Sequence, residues 1–114
     1  MNRKIYKIVP VDLWKTASTT GVFKGAPVDL EDGFIHFSTA EQVEETAAKH
    51  FFGQKHLLLV TLKSDTFGDD LKWEASRGGD LFPHLYGHFE PSQALDVVEL
   101  IDLPDGSHKF PEQY

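Results

Sequence analysis

The chain contains no cysteine. Disulfides, thiolate chemistry and Cys-ligated zinc are excluded at once, and a thiol-free chain fits a reducing compartment. Positive charge is also scarce. Eleven Lys and Arg stand against 18 Asp and Glu, a formal net charge of -7. Affinity for nucleic acid in general needs clustered Lys and Arg to neutralise many phosphates, and no stretch clusters them. One Arg or one helix N-terminus still suffices for a small anion, so a small-molecule ligand is the expected partner. Long apolar runs are missing too. Nothing approaches the ~18 apolar residues of a membrane span, and "MNRKIYKIVPVDLWK" has no signal-peptide core. The expectation is a soluble, cytoplasmic protein with no membrane association, its oligomeric state left open.

At 114 residues the chain is read as a single domain, 1–114. Such a domain buries roughly two thirds of its unfolded surface without staples. Aromatic residues are in surplus: nine Phe, three Tyr and two Trp. A surplus of this kind can line a pocket.

"KIYKIVP" (4–10) alternates as a first strand ended by Pro10. Asp12 is a candidate N-cap for a short helix, "LWKTAST", with Gly21 as its stop and Trp14 and Ala17 facing inward. "GAPVDLEDG" reads as an irregular connection. A helix "AEQVEETAAKHFF" follows, with Ala40, Val43, Ala47 and Phe51 on one stripe and Gly53 at its end. Two overlapping capping boxes precede it, Ser38 with Glu41 and Thr39 with Gln42. "HLLLVTL" (56–62) has the continuous apolar character of a central strand, and "ALDVVELIDL" (94–103) reads as another strand. Between these two lies a long segment, and loops of that length are functional or contain unrecognised elements. The tail "PDGSHKFPEQY" begins with a turn and is read as adding an edge strand. The pattern is α+β with a mixed or largely antiparallel sheet.

Two stretches carry chemistry. In "DGFIHFST" (32–39) the strand period puts Phe34, His36 and Ser38 on one face and Ile35, Phe37 and Thr39 on the other. Either His36 is a core residue with a satisfied hydrogen bond, or it is the polar floor of a cleft beside a helix N-terminus. In the second case His36 and the two hydroxyls make a small anion or ribose site. The other stretch, "KWEASRGGDLFPHLYGH" (72–88), holds Trp73, Glu74, Arg77, Asp80, His84, Tyr86 and His88 among glycines. It is too polar for core and too aromatic for a plain solvent loop, and Arg77 can clamp a phosphate or carboxylate. His84 and His88 have the spacing of helical zinc ligands, but Pro83 and Gly87 oppose a helix, so no metal site is expected. Ser38 is not in a G-x-S-x-G elbow, and Gly78-Gly79 lacks the Lys of a phosphate-binding loop.

"DGFIHFSTAEQV" followed by "LKWEASRGGDLFPHLYG" resembles the signature of the small bacterial and plant proteins known as domain of unknown function 952. The resemblance runs from "IYKIV" to "VVEL". It implies an architecture similar to ADP-ribosyltransferases: two small, mostly antiparallel sheets around a cleft, with one or two flanking helices, where those enzymes bind NAD. On that resemblance NAD would be a substrate, and no cofactor is certain. His36 matches in kind the early-strand His or Arg that contacts the NAD ribose, and Ser38 or Thr39 the hydroxyl that follows. The late-strand Glu has two candidates, Glu74 and Glu99, neither in the typical motif. Some relatives of that fold lack the Glu and use Arg and His on a phosphate, a route Arg77 keeps open.

The expectation is a cleft for a nucleotide-like or phosphorylated small ligand, with ribosyl or phosphate chemistry within its reach. His36 and Glu74 are the catalytic candidates. Ser38, Thr39, Trp73, Arg77, His84 and Tyr86 are the ligand-binding candidates, with Trp73 and Tyr86 as stacking faces. Two alternatives stand beside it: a non-catalytic binding module that kept the fold, and a small-acid hydrolase or isomerase with His36 or His84 as base.

Overall fold

A computed structural model of the protein describes residues 3–76 and 78–114. Every strand pairing in it is antiparallel. The first sheet orders β1 (Lys4–Pro10), β3 (Leu57–Lys63) and β6 (Asp96–Glu99) with β3 in the middle. The second orders β2 (Ile35–His36), β5 (Leu81–Leu85) and β4 (Leu71–Ala75) with β5 in the middle. A small ribbon joins β7 (Ile101–Asp102) to β8 (His108–Lys109). Among the described residues, three α-helices complete the mixed α/β structure: α1 (Val11–Thr20), α2 (Pro27–Asp32) and α3 (Val43–His50). None of the helices described is long and apolar enough to cross a membrane.

The apolar run of β3 explains the layering. Val60 and Leu62 join Ile5 and Val9 of β1 in one cluster with Ile35, Leu71 and Leu85 of the second sheet and with Phe37, just past β2. Leu57 and Leu59 point the other way, with Tyr6 and Ile8, into a cluster with Val43 and Ala47 of α3 and with Leu100. A strand covered on both faces needs no polar alternation, as the sequence suggested. The sheets are tied where β2 continues past His36: Ser38 and Tyr6 exchange both backbone hydrogen bonds at 2.8 Å.

Several local expectations are corrected. α1 starts one residue before Asp12, with Pro10 at its cap and no side-chain cap, while Gly21 ends it as expected. α3 is shorter than the apolar stripe implied, and Ala40 is exposed in the turn before it. Half of one capping box forms: the Thr39 N–H donates to Gln42 Oε1 at 3.0 Å. Ser38 Oγ instead meets Thr46 Oγ1 at 3.1 Å. The 94–103 stretch is two strands broken at buried Leu100, because β6 lies at a sheet edge with one ladder partner. The long segment between these strands holds the β4–β5 hairpin, reached through 3-10 turns over Ser64–Asp70.

The most consequential correction is α2, where an irregular connection was expected. Pro27 occupies its first turn and Asp29 its third position, where the carboxylate accepts from the Ala26 N–H at 2.7 Å. Gly33 closes it at φ 87, so Asp32-Gly33 is a helix end, not a free turn. Its buried residue is Asp29, whereas Val28 and Leu30 are exposed. A helix that buries a carboxylate shows no apolar stripe. Gly25 supports it from below: at φ 122, an added Cβ would lie 2.8 Å from Asp29 Cβ. Gly25→Ala is therefore expected to lower stability by roughly 1–3 kcal/mol, through strain and displacement of Asp29. A urea midpoint equal to wild type would contradict this.

Candidate functional site

The ladder of the second sheet sets the site. His36 of β2 lies directly opposite His84 of β5, and Ile35 opposite Leu85. Ile35 and Leu85 face the core, so the alternation sends both histidines to the opposite face of the sheet, where His84 is buried beneath Phe34 and His36 is half-buried. Their ring centres are 5.4 Å apart. Phe34 packs against both, at 4.2 Å from His84 with planes 24° apart, and at 4.7 Å from His36. Tyr86 completes the cluster at 5.2 Å from Phe34.

Each histidine is held by a carboxylate at Nδ1. For His36 this is Asp29 Oδ1 at 2.6 Å, an oxygen that also accepts the His36 N–H at 3.0 Å. Asp29 Oδ2 faces Lys7 Nζ at 3.0 Å, and Lys7 Nζ also donates to the His36 carbonyl at 2.9 Å. The Lys7 and Asp29 side chains are 7% and 1% exposed, so this is a buried ion pair with its hydrogen bonds made. On the other side of the ring, Nε2 lies 3.0 Å from Asp32 Oδ2, at the solvent-facing end of α2. For His84 the partner is Glu74 Oε1 at 2.8 Å, and the Tyr86 hydroxyl donates to the same oxygen at 2.7 Å.

The electrostatics follow from these contacts. Burial alone would raise the Asp29 carboxyl, but bonds from the His36 ring, the Lys7 ammonium and the Ala26 and His36 N–H groups outweigh it. The carboxyl titrates at about 2 instead of 3.8. Burial lowers Lys7, against the pull of Asp29. Glu74 is lowered by the hydrogen bonds from Tyr86 and then His84, and Tyr86 is raised by Glu74.

Asp29 gives the fold an acid sensitivity with a definite sign. The unfolded carboxyl takes up its proton near 3.8 and the folded one near 2, so between them the unfolded chain binds more protons. The contribution, about 2 kcal/mol, is complete above the unfolded value and is lost as pH falls through the folded one. Urea titrations from about pH 5 down to about pH 2 should show that loss in wild type and not in Asp29→Asn. Parallel pH profiles would contradict it.

Of the residues singled out in the sequence, His36, Glu74, His84 and Tyr86 meet on this face. Ser38 and Thr39 do not; both are buried, Ser38 against α3. Trp73 is displaced by the strand period and packs toward the core side. With Thr39, Gln42, Glu41, Asp80 and Arg3 it lines a separate open groove of about 600 Å³. The Arg3 guanidinium lies over the Trp73 ring, 4.7 Å from its centre. Arg77 lies outside the described residues. Lys7, Asp29 and Asp32 were not anticipated. Two signals could have found them: the Pro-x-Asp helix start of "PVDLED", and a lysine at an inward position between Ile5 and Val9, which demands a buried partner.

Residues 8–99 match the model of a family described as protein of unknown function, DUF952. The chain belongs to the DUF952 family. Two solved structures resemble this DUF952 chain over nearly its whole length. The crystal structure of protein CC0527 from Caulobacter crescentus is 47% identical, covers 93% of each chain and superposes with a TM-score of 0.89. The solution NMR structure of CC0527 is 48% identical, covers 91% of this chain and 90% of that one, and gives 0.82. No curated protein matches the chain.

Proposed function

We propose that this DUF952 protein binds a nucleotide-like or phosphorylated small molecule on the outer face of the β2–β5–β4 sheet. The observation that carries the reading is the cross-strand pair of histidine rings, 5.4 Å apart, each with its Nδ1 held by a carboxylate. His84 can meet a ribose hydroxyl or phosphate oxygen through Nε2, and His36 through its own Nε2 where the ligand displaces the exposed Asp32 carboxylate. Phe34 and the exposed ring of Tyr86 supply aromatic surface on which a base can stack. The His36 side chain is 33% exposed, which leaves it within reach of a ligand. If the resemblance to ADP-ribosyltransferases read from the sequence motifs holds, the ligand class would be NAD or ADP-ribose.

Titration of NAD, ADP-ribose and inorganic phosphate by calorimetry tests the reading. Wild type should bind at least one of them, and His36→Ala should bind it roughly tenfold or more weakly, the loss of one hydrogen bond to a charged group. No binding of any of the three at millimolar concentration would sink it. Nicotinamide release from bound NAD would separate ribosyl transfer from a binding module that kept only the fold.

A further inference from the structure

We propose that His84 is the proton acceptor of this site, working through Nε2, and that Glu74 and Tyr86 are its positioning residues. The inference rests on the reading that this face takes a ligand, and it assigns that ligand's hydroxyl, or a water beside it, as the proton donor.

The tautomer follows from the partners. Glu74 Oε1 receives both His84 Nδ1 and the Tyr86 hydroxyl, at 2.8 and 2.7 Å. A carboxylate oxygen only accepts, so Nδ1 carries the hydrogen and the neutral ring keeps its lone pair on Nε2. Two donors hold Glu74 in the ionised form, which preserves this arrangement. Phe34, stacked on the imidazole at 4.2 Å, opposes rotation of the ring about its bond to the chain. Nε2 has no hydrogen-bond partner among the described residues.

The two histidines differ in this respect. Both nitrogens of His36 lie within 3.0 Å of a carboxylate oxygen, which only accepts, so neither nitrogen can offer a lone pair to a ligand proton without losing one of those contacts. His84, 8% exposed, has Nδ1 held by Glu74 and Nε2 with no hydrogen-bond partner among the described residues. A ligand hydroxyl, or a water, beside the ring would lose its proton to Nε2: the O–H bond breaks, the N–H bond forms, and the electron pair stays on oxygen. Glu74 then faces the imidazolium across Nδ1. This is the geometry in which an orienting carboxylate raises the power of a histidine base. Among the described residues no thiol or uncommitted hydroxyl competes on the face, and Lys72 stands opposite His84 in the ladder. The chain has no cysteine, Ser38 is turned to Thr46, and the Tyr86 hydroxyl is committed to Glu74.

Two readouts on the full chain test the assignment. Long-range 15N spectra at alkaline pH, where imidazole is neutral, should show His84 protonated on Nδ1. Diethylpyrocarbonate should ethoxyformylate His84 at Nε2, with ethanol and carbon dioxide released, as read by peptide mass spectrometry. Glu74→Ala should slow that modification roughly tenfold or more, and Glu74→Asp should restore part of it. Tyr86→Phe removes only a hydroxyl from an exposed side chain, keeps the fold, and should slow it by a smaller factor. An Nε2–H tautomer in wild type, no modification of His84, or equal rates in Glu74→Ala and Tyr86→Phe would overturn the proposal. ADP-ribose added to the same samples keeps the two readings apart. Unmoved His36 and His84 signals would remove the ligand while leaving the tautomer and the reactivity as measured.

Discussion

Asp29→Ala is expected to destabilise the protein by about 3–5 kcal/mol, a large part of the 5–15 kcal/mol that holds a typical domain together. The reason is what the substitution leaves behind. Lys7 Nζ stays buried with only the His36 carbonyl for company, and the Ala26 and His36 N–H groups lose their acceptor. The reverse deletion is milder. In Lys7→Met the Asp29 carboxylate keeps both backbone donors and the His36 ring, so the expected cost is roughly 1–3 kcal/mol. The double variant Lys7→Met with Asp29→Ala removes both charges, and its loss should fall well short of the sum. It does not return to wild type, because the two N–H groups remain without an acceptor. Urea denaturation of the four proteins measures the cycle. Additive losses, or an Asp29→Ala midpoint near wild type, would show that the pair is not the anchor of β2.

The same cycle separates fold from site. Asp29 holds His36 by its ring and by its backbone, so the position of a candidate ligand-binding side chain depends on a salt bridge that reaches across to the first sheet. His84 is held differently, by a carboxylate and a hydroxyl on its own sheet. Lesions at Lys7 should therefore disturb His36 and leave the His84 environment in place.

How far these features could be read from the chain depends on what announces them. β1 and β3 follow from alternation and from a continuous apolar run, and their bounds agree with the expected ones within a residue. The β4–β5 hairpin was hidden because Pro83 stands in a central strand, where a missing N–H argues against strand. Its carbonyl still accepts from Phe37, which is how that position is tolerated. α2 was hidden because its buried residue is charged and its apolar residues are exposed, the inverse of the usual helix pattern. The meeting of His36 with His84 rests on a long-range strand register that no local motif encodes. Trp73 and Glu74, adjacent in sequence, go to opposite faces, so a cluster read along the chain is divided by the strand period.

Phe89→Ala should cost about 3–5 kcal/mol, the range for emptying an aromatic site in a core that cannot close over it. Phe89 is 1% exposed and sits among the rings of Phe23 at 5.0 Å, Phe37 at 5.9 Å, Trp14 at 6.2 Å and Phe67 at 6.3 Å. Its backbone is fixed by a bridge to Phe23, so the ring cannot be replaced by a shift of its own segment. Collapse would have to come from four aromatic neighbours on different elements, each already packed against others. Phe89→Leu keeps most of the volume and should cost less than half as much. Phe52, 60% exposed, is the contrast, and Phe52→Ala should stay within about 0.5 kcal/mol of wild type. The consequence also reaches the site. Phe37 follows His36 directly and packs against Phe89, so a cavity there loosens β2 beneath the histidine pair. Faster hydrogen exchange at the His36 and Phe37 amides in Phe89→Ala than in Phe52→Ala would register that loosening, and equal rates would place Phe89 outside the support of the site.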